Sequence, residues 1–100
     1  MPNFVFSFRV PSDYRPNDGT PAEWQAWFGG LGTALVDIGH AVSEYASLGE
    51  VGGSESRMIG YSVVSAEDLD AALALAKDCP VLRVVGGGIE VGPVMEVAGS

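Results

Sequence analysis

Thr20–Gly39 reads TPAEWQAWFGGLGTALVDIG. Thr20, Pro21 and Glu23 compose a capping box with proline at the first helical position. The threonine oxygen accepts from free N–H groups of the first turn while the glutamate reaches back. Beyond it, Trp24, Trp27, Phe28, Leu31, Leu35 and Ile38 recur at i, i+3, i+4, i+7, i+11 and i+14. That spacing predicts one apolar stripe on a helix of about five turns, stopped by Gly39. Gly29, Gly30 and Gly32 each weaken such a helix by ~1 kcal/mol relative to alanine, and close packing of the helix backbone on a sheet is the expected reason for them.

On the N-terminal side, Phe4, Phe6, Phe8 and Val10 alternate with Val5, Ser7 and Arg9. This period-2 pattern, rich in aromatic and β-branched residues, predicts a strand with one apolar face. Pro11–Gly19 (PSDYRPNDG) and Gly49–Ser56 (GEVGGSES) read as loops. On the C-terminal side, His40–Leu48 reads as a weaker strand with Val42, Ala46 and Leu48 on one face, and Met58–Ser65 (MIGYSVVS) as a better one. Ser65 is expected to cap a second helix, with Asp68 as the acidic half of its box, Leu69, Ala72, Leu73 and Ala76 as its buried stripe, and Pro80 as its end. Val81–Val85 reads as a short helical turn, and Gly88–Val97 as the last strand, alternating Ile89, Val91 and Met95 with Glu90 and Glu96.

This is the β-α-β-β-α-β order of a ferredoxin-like α+β domain, an antiparallel sheet with both helices on one face. A chain of 100 residues buries only about two-thirds of its unfolded surface. The bare sheet face invites a second copy, so a homodimer through the open sheet face is expected, with a cavity between or beside the two sheets.

Composition narrows the partners. With 13 acids against 5 bases and a net charge of −8, the chain is poorly suited to phosphate backbones. At 47% apolar and 18% charged residues it is not a disordered chain. No apolar run approaches the roughly 20 residues of a membrane span. The start, MPNFVFSFRVPSD, lacks a basic n-region and carries Arg9 in its short apolar run, so no signal peptide and a cytoplasmic location are expected. A single cysteine excludes an internal disulfide and a Cys-based zinc site.

The stretches GYSVVSAEDLDAALALAKDCP (60–80) and GGGIEVGPVMEV (86–97) resemble the second half of YCII-related (DGPF-type) domains. Trp27, Leu31 and the Asp37-Ile38-Gly39 turn resemble the first half more loosely. The resemblance implies one such domain over residues 1–100, a ferredoxin-like dimer whose sheets stack into an α/β barrel. It also implies a family of mostly unassigned activity, some members occurring alongside extracytoplasmic-function sigma factors. The chain departs from the pattern at two places. The Asp-Gly-Pro-Phe signature expected before the third strand is replaced by GGSESRMIGY, and no histidine lies within Pro21–Val36. Asp37 matches the family's aspartate near the end of the first helix. The helix histidine that would complete the family's proposed catalytic pair has no counterpart.

Few residues are candidates for chemistry. Asp37 and His40 stand three apart. If the turn folds back, the carboxylate orients the imidazole and raises its basicity, as general acid–base catalysis needs. Otherwise Asp37 bonds loop N–H groups and His40 is a surface residue. Trp24 and Trp27 share a helix face, as core or as the wall of a ligand pocket. Tyr45 and Tyr61 lie on expected strands, with hydroxyls toward the dimer cavity or a sheet edge. Cys79, at a helix C-terminus, reads as a small buried residue, since helix N-termini are what activate thiols. Gly86-Gly87-Gly88 precedes a strand and so reads as a turn, not a phosphate loop. Glu90, Glu96 and Asp37 form no clustered metal motif, and no metal or cofactor is expected. Two functions stand open. The first is a non-catalytic YCII-related homodimer with a small-molecule pocket involving Trp27, Tyr45 and Tyr61. The second is an isomerase- or lyase-like enzyme moving protons with Asp37 and His40, by analogy of fold.

Overall fold

The computed structural model describes residues 1–16, 20–44, 46–51 and 56–95. Strand β1 (Asn3–Pro11) is followed by helix α1 (Thr20–Leu31), strands β2 (Leu35–Asp37) and β3 (Ser56–Ser65), helix α2 (Leu69–Ala76) and strand β4 (Gly88–Pro93), with short 3-10 turns at Gly32–Ala34, Gly49–Val51 and Pro80–Arg83. The strands form one four-stranded antiparallel open sheet in the order β2-β3-β1-β4. The architecture is a small α+β unit with two helices. Among the described residues, no helix is long and apolar enough to cross a membrane.

The alternation in β1 decides where the core sits. Phe4, Phe6, Phe8 and Val10 are all at most 3% exposed. Across the ladder they face Val64, Ser62 and Gly60 of β3, with a bulge after Phe8. Trp27 and Leu31 of α1, Ala72 and Ala76 of α2, and Val81 of the following turn join the same buried cluster. Trp27 ties the helices together by donating its indole N–H to the Leu75 carbonyl at 3.3 Å. Val5, Ser7, Tyr61 and Val63, on the alternate positions, are half-buried and take no part in that cluster. On that face Arg9 donates to Ser56 Oγ at 3.0 and 3.1 Å and lies 3.6 Å from the Glu90 carboxylate.

Several elements differ from the sequence reading. The first helix ends at Leu31, not Ile38, because Gly32 takes a left-handed conformation (φ +57°) that glycine adopts without steric cost. Leu35 then pairs with Val64 on β3, and Ile38 is 56% exposed. The second strand is therefore Leu35–Asp37, and of the expected strand His40–Leu48 only an isolated bridge, Ala41 to Gly60, exists among the described residues. Leu48 is 93% exposed. The cap of α2 is Asp68, whose carboxylate accepts from the Ala71 N–H at 2.8 Å, while Ser65 still belongs to β3. Leu69 and Leu73 are 45% and 46% exposed, and Ala72 and Ala76 meet the core instead. Small side chains there let the helix backbone approach the sheet closely. The helix stops at Ala76, before Pro80, which opens the next 3-10 turn. Strand β4 ends at Pro93, and Glu96 and Val97 lie outside the described residues.

Candidate functional site

Beyond β2 the chain turns sharply. The Asp37 carboxylate accepts from the Gly39 N–H at 2.8 Å, an Asx-type closure of the turn. Gly39 has φ +73°, and a Cβ there would collide with the Tyr61 carbonyl, so the position requires glycine on two counts. The returning segment Ile38–Val42 is then pinned along β3. The Val42 N–H donates to the Ile59 carbonyl at 2.8 Å, and the Tyr61 N–H donates to the His40 carbonyl at 3.3 Å. Ser62, fully buried, donates its hydroxyl to the Ile38 carbonyl at 2.6 Å. That bond satisfies a polar group that would otherwise be costly to bury. Gly60 leaves room for the crossing: a Cβ on it would stand 2.9 Å from the His40 carbonyl oxygen.

Between this segment and α1 lies a cavity of about 350 Å³, within the size range of small-molecule pockets. Phe8, Trp24 and Phe28 make its aromatic wall. The Phe8 and Trp24 rings meet edge to face at 4.9 Å, and Phe28 lies 5.9 Å from Trp24. These spacings hold the rings in favourable quadrupole geometries, so the wall is a formed surface. Ile38 and Ile59 add aliphatic lining, and His40, Gly60, Tyr61 and Ser62 also border it; Tyr61 alternates with Gly60 and Ser62 toward the open sheet face, and the Ser62 hydroxyl is taken by Ile38. The His40 and Tyr61 rings are 6.1 Å apart.

The residues singled out from the sequence fall in different places. His40 is exposed and borders the cavity. Asp37 is exposed too, its carboxylate engaged by Gly39, and among the described residues no hydrogen bond or ion pair joins it to His40. Trp27 is 8% exposed and stacks on Phe6 at 6.1 Å. It borders a separate groove between α1 and α2 with Leu75 and Arg83. Tyr61 borders the cavity, and Tyr45 lies outside the described residues. Cys79 is 1% exposed, and burial pushes its thiol up from 9.0 to about 11, against smaller lowering by a Val81 backbone hydrogen bond and by Arg83. No three His, Cys, Asp or Glu side chains are grouped to hold a metal among the described residues.

Phe8, Phe28, Ile59 and Ser62 were not legible as wall residues. The strand alternation and helix stripe give Phe8 and Phe28 as core, and the strand pattern of Met58–Ser65 assigns no face to Ile59 or Ser62. Only the small pair Gly60 and Ser62, opposite Phe8 and Phe6 on β3, signals that space remains there. No family model matches the chain, and no curated protein matches it.

Proposed function

We propose that this chain is a small-molecule-binding module: a cytoplasmic, ferredoxin-like, YCII-related homodimer that takes an apolar, aromatic ligand beside β3 and carries no assigned reaction. The observation that carries the reading is the aromatic-walled cavity of about 350 Å³, bordered by Phe8, Trp24 and Phe28 with His40 at its edge. The family proposal rests on the motifs at 60–80 and 86–95, and the ferredoxin-like proposal on the strand order β2-β3-β1-β4. The dimer proposal rests on the sheet face bearing Val5, Tyr61 and Val63, which contributes nothing to the core cluster.

The enzymatic alternative keeps one observation in its favour: His40, an imidazole able to give or take a proton, borders the cavity. Its difficulty is the Asp37 carboxylate, which serves the Gly39 N–H and so is not the partner that would orient an imidazole.

A thermal-shift screen of small aromatic compounds tests the binding reading. A ligand at about 100 times its Kd stabilises by ~2.7 kcal/mol, on the order of 10 °C in a domain this size. Ala41→Trp, which fills the cavity from its exposed rim, is expected to abolish the shift while leaving the unliganded Tm nearly unchanged. A shift that survives Ala41→Trp, or no shift with any compound, contradicts the reading. Sedimentation tests the dimer: a species near the chain mass of 10.4 kDa at micromolar concentration rules it out.

A further inference from the structure

The cavity has neighbours beyond its aromatic wall. Trp24 and Ile59 also border a second hollow of about 330 Å³, whose far side carries Ser43 and Arg57. Ser43 and Arg57 in turn border a third, open hollow of about 370 Å³ that Arg15 and Glu44 complete. The three hollows adjoin in a row, apolar at the His40 end and cationic at the Arg57 end, and the middle one by itself sets Trp24 and Ile59 beside Arg57.

We infer that the middle hollow takes an amphipathic anion, its flat apolar body against Trp24 and Ile59 and its carboxylate or sulfonate group at Arg57, toward Arg15. The inference rests on the binding reading above and adds the charge of the ligand to it. The distribution of the basic residues argues for it. The chain carries 5 bases against 13 acids, yet two of those bases border the same outer hollow. Arg9 is occupied by Ser56 and Glu90 on the open sheet face, and Arg83 borders the α1–α2 groove. Arg57 is half-buried and makes no hydrogen bond or ion pair within the described residues. Its planar fork, engaged by no described side chain, matches a carboxylate or sulfonate. Thr20, where α1 begins, borders the middle hollow, so the positive end of a 12-residue helix adds to the field there. Glu44 opposes it, but is exposed on the outermost hollow, where solvent screens it most.

Two fluorescent probes separate the parts of this claim. 8-Anilinonaphthalene-1-sulfonate carries one sulfonate; N-phenyl-1-naphthylamine is the same aromatic body without it. Both are expected to bind saturably at one site per chain, the sulfonate-bearing probe about tenfold tighter or more. Arg57→Gln is expected to erase that advantage and leave the affinity for the neutral probe unchanged. Lys77→Gln, the same charge change at the C-cap of α2, is expected to alter neither. Circular dichroism melts establish that the variants fold, and Arg15→Gln serves under the same criterion if Arg57→Gln does not. Equal affinities for the two probes, or equal effects of the Arg57 and Lys77 substitutions, overturn the anion assignment while leaving the binding site intact. Failure of the neutral probe to bind saturably overturns the site itself.

Discussion

Phe4 and Phe8 lie on the same face of the same strand, yet one end of that face is filled and the other is hollow. The difference lies in the neighbouring strand. Opposite Phe4, Phe6 and Phe8 stand Val64, Ser62 and Gly60, a series of falling side-chain volume. At the Val64 end Phe4 and Val64 are both buried. At the Gly60 end β3 presents no side chain, Phe8 borders the cavity, and the Ile38–Val42 segment runs beside β3, hydrogen-bonded to Ile59, Tyr61 and Ser62. A cavity here is therefore a property of two small residues on β3, held open by a glycine turn, and not a packing fault.

The sharpest way to break this comparison is to truncate both ends. Phe6→Ala, at a fully buried site, is expected to cost about 3–5 kcal/mol. Phe8→Ala should cost clearly less, since its ring already borders empty volume and leaves less new cavity behind. Equal shifts in the urea midpoint would erase the distinction. Gly39→Ala comes next. The left-handed backbone alone costs about 1–3 kcal/mol, and the collision with the Tyr61 carbonyl adds to it. An unchanged midpoint would mean that the turn is not what props the cavity open. Asp68→Ala removes the cap of α2 at the filled end and is expected to cost about 1 kcal/mol, without changing ligand binding.

The smallest effect is a pH dependence. Cys79 is buried, with its thiol raised from 9.0 to about 11. The unfolded chain releases this proton first, so the unfolded state binds fewer protons between those values. Stability contributed by the neutral thiol is therefore full below pH 9 and declines as pH rises toward 11. Cys79→Ala should flatten that decline in a series of melts. In the native protein at neutral pH, Cys79 should resist iodoacetamide unless the core opens; rapid modification would contradict its place in the packed end.

The filled end was largely legible in the sequence and the hollow end was not. Phe4, Phe6, Phe8 and Val10 alternate strictly, and a period of two admits only one reading. Leu35 and Ile38, by contrast, extend the helical spacing of Trp24 and Leu31 although the chain there is strand and turn. Pairing with Val64 on a distant strand decided it, and local periodicity carries no information about that partner. Likewise the three-residue spacing of Asp37 and His40 suggested a catalytic pair, but spacing does not say which donor reaches the carboxylate first; Gly39 does. His40 and Tyr61 were named as candidates because their chemistry is visible in one dimension. Their wall, made by Phe8, Trp24, Phe28 and Ile59 from three elements, exists only once the chain has folded.

The most direct test of the binding site is a titration of the 15N-labelled protein with N-phenyl-1-naphthylamine, followed by amide and indole chemical shifts. Saturable changes confined to Trp24, Ile38–Val42 and Ile59–Ser62 are the predicted result. Changes centred instead on Val5, Ser7 and Glu90 of the open sheet face, or on Ala26 and Ala74 of the helix groove, would contradict it.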